Sequence, residues 1–368
     1  MRIVVLGGAG DMGAEAVRDL VKYSGADEII VADRNMKAAK KLAAKLDPSR
    51  VKAREIDATR HNELVDIMRG SAAVAGALGP FYRFEKPIVE AAIAAGANYV
   101  SICDDHDAAE AVLALDDQAR QNGRRILTGM GWTPGLSNLL ARRGYDELES
   151  AGTINIYWAA GAADSEGLAV ILHTMHIFTG KVTSFRDGNA ASVKAGSGKE
   201  QVTFPEPMGT ATTFHVGHPE PVTLPRYMKG LIEVTLKGGL AENYLNYLSK
   251  AVAALGLTRT PFTRQVTGRI LKTLLPVLPR DRNRSVSGIR VDVTGSRNGQ
   301  PVTISYAVTD NMRRLTGIPL SIGTIMMAEN RINRYGVFGP EAENAVDSKT
   351  FLSELERRGI NVCQRELS

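Results

Sequence analysis

The chain has 368 residues, 44% of them hydrophobic and 23% charged, a balance that excludes a disordered polypeptide and suits two globular domains. Its 45 basic and 40 acidic residues are interspersed and give a formal charge of +5, which is compatible with anionic small molecules but gives no reason to expect nucleic acid. Cys103 and Cys363 form no C-x-x-C pair, so neither a disulfide framework nor a zinc knuckle is expected. MRIVVLGG is too short for a signal-peptide core and no stretch is long and apolar enough to span a bilayer, so the expectation is a cytoplasmic protein without a membrane partner.

In chain order, short β-branched runs predict strands at 3–6, 28–32, 51–56, 73–78, 99–103 and 125–128. Between them, Ala14, Val17, Leu20 and Val21 share one helical face, as do Ile88, Ala91 and Ala92. Alternation of this kind is the pattern of an α/β, doubly wound parallel sheet. From about 151 the texture changes: TINIYWAAG predicts a strand, LAVILHTMHIF a helix, and 186–201 a polar, glycine-rich stretch. SGIRVDVTG and QPVTISYAV, joined by a short turn-rich gap, predict an antiparallel hairpin. A helix is expected over 320–332, then GVFGPE as a loop and a last helix over 350–358. The basic cluster Arg280, Arg282 and Arg284 is expected to be a solvated loop.

The segment GGAGDMG follows the strand RIVVL and opens a helix. In that setting Gly8, Gly10 and Gly13 read as G-x-G-x-x-G, a loop whose backbone admits a dinucleotide pyrophosphate to a helix N-terminus. The expected fold is therefore a Rossmann domain followed by a second, α+β substrate and dimerisation domain. Gly8, Ala9, Gly10, Asp11, Met12 and Gly13 are the expected phosphate contacts. The same glycines also spell the loop of short-chain dehydrogenases, but no tyrosine here is followed four positions later by a lysine.

Asp33, at the end of the second strand, is placed to accept hydrogen bonds from the adenosine ribose hydroxyls, which favours NAD. Arg34 beside it offers a cation for the 2′-phosphate of NADP, or a plane to stack on adenine. Asp57 either meets the adenine edge or caps the next helix. Leu78, Gly79 and Pro80 end the fourth strand, where the nicotinamide end of the cofactor passes.

Together with this loop, the segments GPFYRFEKPIVEAAIAAGANYVSICDD and GMGWTPGLSNLLARRGYDELES resemble the saccharopine dehydrogenase-like family. GHPEPVTLPR and the closing GVFGPE and FLSELERRGINV extend the resemblance over nearly the whole chain. It implies a Rossmann domain (1–132), an α+β domain (133–315) and C-terminal helices returning to the first domain (316–368). It also implies an NAD(P)-dependent oxidoreductase moving hydride to or from the carbon of a C–N bond in an amino acid or amine. Thr133 stands where several members carry an aspartate before the proline-glycine pair.

Such chemistry requires a group that exchanges a proton with nitrogen and a cradle for the substrate carboxylate. Asp104 and Asp105, after the fifth strand, and Tyr82, after the fourth, are the candidate catalytic residues. The aspartates are also candidates for capping the helix near Ala108. Trp132 and Thr133, in a turn that the resemblance puts at the site, and Arg226 are candidates for substrate binding; Arg83 and Lys86 are weaker ones. Cys103 reads as a small buried residue. His173 with His176, and His215 with His218, share a spacing that metal sites use, but hydride transfer needs no metal and none is expected. The hairpin suggests a homodimer. Two alternatives stand beside the oxidoreductase: a transferase resembling homospermidine synthase, and a nucleotide-sensing Rossmann protein without catalysis.

Overall fold

A computed structural model describes residues 1–164, 168–258, 260–274, 277 and 286–367, so Arg280, Arg282 and Arg284 lie outside the described residues. The chain divides into two compact units, Met1–Leu136 with Arg313–Leu355, and Ser137–Met312 with Glu356–Ser368.

The first unit holds a parallel sheet of β1 (Arg2–Leu6), β2 (Glu28–Asp33), β3 (Val51–Glu55), β4 (Ala73–Gly76), β5 (Tyr99–Ser101), β6 (Arg125–Leu127) and β15 (Gly336–Phe338). Their order is β15-β6-β5-β4-β1-β2-β3, so the winding reverses on either side of β1. That reversal opens a crevice at the C-terminal ends of β1 and β4, where doubly wound sheets take their ligands. β1 is central because it can be buried on both faces: Ile3, Val4, Val5 and Leu6 are each 0% exposed. Burial of each such side chain is worth about 1.5–3 kcal/mol. Ala14, Val17 and Leu20 of the helix Asp11–Tyr23 are buried as their spacing predicts, while Val21 is half-buried.

Three sequence expectations are corrected in this unit. β4 and β5 stop at Gly76 and Ser101, short of the expected 78 and 103, and the residues beyond them become site loops. Pro80 has no N–H with which to continue a ladder. GVFGPE is not simply a loop, because Gly336–Phe338 pairs with β6 and buries Val337 and Phe338; three residues are too few for a periodic signal. The helix expected over 320–332 spans Met312–Ala328, and a Cβ on its Gly317 would stand 2.7 Å from the Met12 carbonyl oxygen, so two helices meet there at backbone distance.

The second unit is built on a mixed sheet of β7 (Ser150–Ala160), β8 (Lys181–Arg186), β9 (Asn189–Lys194), β10 (Glu200–Thr203), β11 (Thr210–His215), β12 (Glu233–Leu240), β13 (Ser287–Arg297), β14 (Gln300–Asp310) and β16 (Cys363–Leu367). Its main path is β10-β11-β12-β7-β13-β14-β16, with β8 joining β12 to β9. The hairpin is present: β13 and β14 pair from Ser287↔Asp310 to Arg297↔Gln300 around Asn298 and Gly299, at φ 54° and 72°. Both turn residues take the left-handed conformation that a two-residue hairpin requires. The polar stretch 186–201 is largely strand, because β9 pairs with β8 while its alternate residues stay exposed. The last helix spans Ser348–Arg357, close to the expected 350–358, and β16 follows it and pairs with β14. Among the described residues no helix is long and apolar enough to cross a membrane.

Candidate active site

The tight turn after β1 is made by Gly7, at φ +70°, where a Cβ would stand 2.6 Å from the Ala77 carbonyl oxygen. This sharpens the glycine reading, since the left-handed residue precedes the three fingerprint positions. Gly8 and Gly13 are packing glycines: added Cβ atoms would meet the carbonyl oxygens of Val5 at 2.9 Å and Gly7 at 2.3 Å. Gly10 differs. It is exposed, and its Cβ would meet only the Gly7 carbonyl oxygen, at 3.3 Å. Gly10 is also the N-cap of Asp11–Tyr23, a helix with no side-chain cap, so the first-turn amides beside Asp11 and Met12 present the positive end of the dipole. Backbone cradle, dipole and open approach fit a pyrophosphate.

Asp33 leans onto this loop. One carboxylate oxygen accepts from the Ala9 amide at 3.1 Å, and the other accepts from the Asn35 amide at 2.8 Å. The side chain that would meet the ribose is thus oriented by the phosphate loop itself. Arg34 is exposed and helps to lower the pKa of Asp57. The larger causes there are the amide and hydroxyl of Thr59, at 3.0 and 2.7 Å. Asp57 closes its own turn before the helix His61–Met68, whose N-cap is Arg60.

At the nicotinamide side, Leu78, Gly79 and Pro80 are half-buried, the Gly79–Pro80 bond is cis, and Pro80 caps the helix Phe81–Ala95. The Tyr82 amide in the first turn of that helix donates to Asp105 Oδ2 at 2.8 Å. Asp105 is 0% exposed and precedes the helix His106–Leu113 without capping it by its side chain. It therefore ties the loop after β5 to the helix after β4, while Asp104, next to it in sequence, and Tyr82 are both half-buried. Of the weaker candidates, Arg83 lies over its neighbour Phe84 and Lys86 pairs with Glu90 at 3.9 Å, both on the exposed side.

Glu85 escaped the sequence reading. It is 0% exposed and accepts from Ser101 Oγ at 2.5 Å and from the Tyr99 hydroxyl at 3.0 Å. Burial pushes its pKa up to about 7 against the pull of those two hydrogen bonds, and the charges of Asp104 and Asp105 push the same way. Cys103 is fully buried next to this group, and burial followed by the Glu85 and Asp105 charges holds its thiol protonated well above the ordinary range. The available signal was periodicity, because Phe81, Glu85, Ile88 and Ala92 form the buried face of one helix and Glu85 stands in it as the acid.

Trp132 and Thr133 are buried in the turn after β6, on the same C-terminal edge as Asp104. The turn closes on itself, with Gly131 and Gly135 bridged and Gly135 at φ +125°. Arg226 is elsewhere in the chain, exposed on the last turn of Glu220–Tyr227 in the second unit. The expected histidine pairs are regrouped there. His173 and His218 face each other with Nε2 atoms 3.4 Å apart, whereas His215 packs where a Cβ on Gly198 would touch its ring at 2.4 Å.

A parallel sheet with a reversed winding, a dinucleotide cradle at the reversal and acids at the nicotinamide edge define an NAD(P)-binding oxidoreductase. Residues 3–127 match the saccharopine dehydrogenase NADP binding domain and residues 172–360 the saccharopine dehydrogenase C-terminal domain. The chain belongs to the saccharopine dehydrogenase family. It is similar to a carboxyaminopropylagmatine dehydrogenase of Synechocystis, at 22% identity over 98% of this chain and 96% of that protein. Its fold is that of apo saccharopine dehydrogenase (L-Glu forming) from Saccharomyces cerevisiae, with TM-score 0.73, 15% identity and full coverage of both chains.

Proposed function

We propose that the protein moves hydride between NAD(P) and the carbon of a C–N bond in a small amino acid or amine. The observation that carries this reading is the group of acids at the ends of β4 and β5, where Asp105 holds the Tyr82 amide and Asp104 stands next to it in the chain. The name of the Synechocystis relative, a dehydrogenase of carboxyaminopropylagmatine, supports the same class of substrate. Bound NAD(P) would supply a two-electron hydride acceptor or donor. On the protein side, Asp104 and Tyr82 exchange protons with the substrate nitrogen or orient it, and Asp105 keeps the loop that carries Asp104 in place. Trp132 and Thr133 line the substrate.

Asp33 favours NAD, because a carboxylate at the ribose repels a 2′-phosphate, while Arg34 leaves NADP usable. The reading includes a cytoplasmic homodimer with no nucleic-acid or membrane partner. The test is to incubate the protein with NAD+ or NADP+ and L-lysine, saccharopine or short polyamines at alkaline pH, and to follow nicotinamide reduction. Reduction with one amine class supports the reading, and none across the panel, with cofactor binding intact, overturns it. Light scattering on the purified chain decides the dimer.

A further inference from the structure

At the nicotinamide edge of the first unit lies a buried acid that the reading above does not use. Glu85, on the helix Phe81–Ala95, is fully buried and is bound by two hydroxyls of β5, Ser101 at 2.5 Å on one oxygen and Tyr99 at 3.0 Å on the other. The Tyr99 phenol reaches it because the residue it passes at the end of β4 is Gly76, where a Cβ would stand 2.0 Å from the phenol oxygen. Burial, and then the charge of Glu85, hold that phenol protonated, so it is a standing donor. β4, β5 and the helix are thus shaped around one carboxyl group.

Ser101 is the point at which the loops of this edge meet. Its hydroxyl accepts from the Cys103 amide at 3.4 Å, its carbonyl accepts from the Met130 amide at 2.6 Å, and the next amide, of Ile102, donates to the Gly76 carbonyl at 3.1 Å. Asp104 and Asp105 follow Cys103 in the chain, and Trp132 and Thr133 follow Met130. Tyr82 stands one helical turn before Glu85, and its amide holds Asp105. The helix therefore grips the segment Ser101–Asp105 twice, by the backbone at Tyr82 and by the side chain of Glu85. The charges that act on Glu85 are those of Asp104 and Asp105, both negative, and its hydrogen-bond partners are neutral hydroxyls. A buried carboxylate so placed is costly, and a proton removes the cost. The neutral acid accepts from Tyr99 through one oxygen and donates its own proton through the other to Ser101 Oγ.

We infer that Glu85 is a positioning residue that, as a neutral acid, fixes Tyr82, Asp104 and the turn of Trp132 and Thr133 relative to one another, an inference that rests on the C–N reading above for the roles of those residues. It acts through Ser101. Its neutrality leaves the negative charge of this edge to Asp104 and Asp105, because a third buried charge in the same cluster would repel the loop from the helix that holds it. A glutamine would serve in its place, since the amide offers an acceptor to Tyr99 and a donor to Ser101. An alanine would leave both hydroxyls without this partner and release one of the two grips.

Three measurements on the full chain test this. The carbonyl band of a buried, protonated carboxylic acid should stand in the infrared spectrum at about pH 6 and be missing from Glu85→Gln; a band that the substitution leaves unchanged overturns the neutral acid. In Glu85→Ala, amide hydrogen exchange across 99–105 should speed up about tenfold or more, while Glu85→Gln keeps the slow rate. Equal rates in both variants and the unmodified chain overturn the grip. With saccharopine and NADP+ as the probe pair, Glu85→Ala should lower kcat about 30-fold with NADP+ affinity within about twofold, and Glu85→Gln should recover most of the loss. A glutamine no better than alanine, or a loss confined to NADP+ affinity, overturns the positioning role. If Glu85→Ala does not fold, Ser101→Ala releases the same grip with a smaller cavity and takes its place. If the unmodified protein oxidises no amine, the C–N reading fails on its own, and the infrared and exchange measurements still decide the part played by Glu85.

Discussion

The phosphate end and the nicotinamide end of the first unit are built from different materials. The loop from Gly7 to Gly13 works through backbone: Gly7, Gly8 and Gly13 matter because a Cβ would strike a carbonyl oxygen, Gly10 leaves the approach open, and the loop's charge is that of helix amides. The edge formed by Glu85, Tyr99, Ser101 and Asp105 works through buried side chains that hydrogen-bond across elements. The first kind of site tolerates no added atom at Gly7, Gly8 or Gly13. The second tolerates change in shape but not in proton count.

Substitutions can break this contrast. The largest effect is expected at Gly13: Gly13→Ala places a Cβ 2.3 Å from the Gly7 carbonyl oxygen and should weaken NADH binding about 100-fold or more, as read by fluorescence titration. Near-normal binding would mean that the loop relaxes freely.

Glu85 comes next and tests proton count. Its folded pKa of about 7 lies above the ordinary 4.5, so the folded chain binds the extra proton. The stability this contributes is fully present below about pH 4.5 and is lost as pH rises through about 7, a loss on the order of 3 kcal/mol. Glu85→Gln should remove that slope in urea unfolding at pH 4.5 and 7.5 while keeping the contacts to Tyr99 and Ser101. An unchanged slope would place the proton elsewhere.

Asp105→Ala should cost about 1–3 kcal/mol by leaving the Tyr82 amide without this acceptor, and should slow turnover more than it weakens cofactor binding. The smallest effect is sought at Asp33. Asp33→Ser should shift relative affinity toward NADPH by roughly tenfold, about 1.4 kcal/mol, and an unmoved ratio would remove the ribose role.

What the sequence made legible follows the same division. Period and turn chemistry reveal the six strands, the glycine loop and the β13–β14 hairpin, because those signals are local. The G-x-G-x-x-G spacing located the cradle but not its left-handed residue, Gly7, which is set by the approach of Ala77, the residue after β4. β15 is too short to declare itself, and only β6 gives it a reason to be a strand. Asp105 was legible as an acid at the right edge, yet its partner is the Tyr82 amide, 23 positions away. The histidines mislead by their spacing: His215 and His218 are neighbours in sequence, but the side chain facing His218 is His173, 45 positions earlier.

The closing elements of the first unit bear on how the chain is made. β6 acquires its outer neighbour only when β15 arrives, and the helix Asp11–Tyr23 acquires the close contact of Gly317 only after the whole of Ser137–Met312 has emerged. During synthesis the N-terminal segment must therefore wait with an open strand edge and an uncovered helix face while the intervening unit is translated. A fragment ending at Leu136 should be sticky and chaperone-dependent, and supplying 313–355 in trans should rescue it.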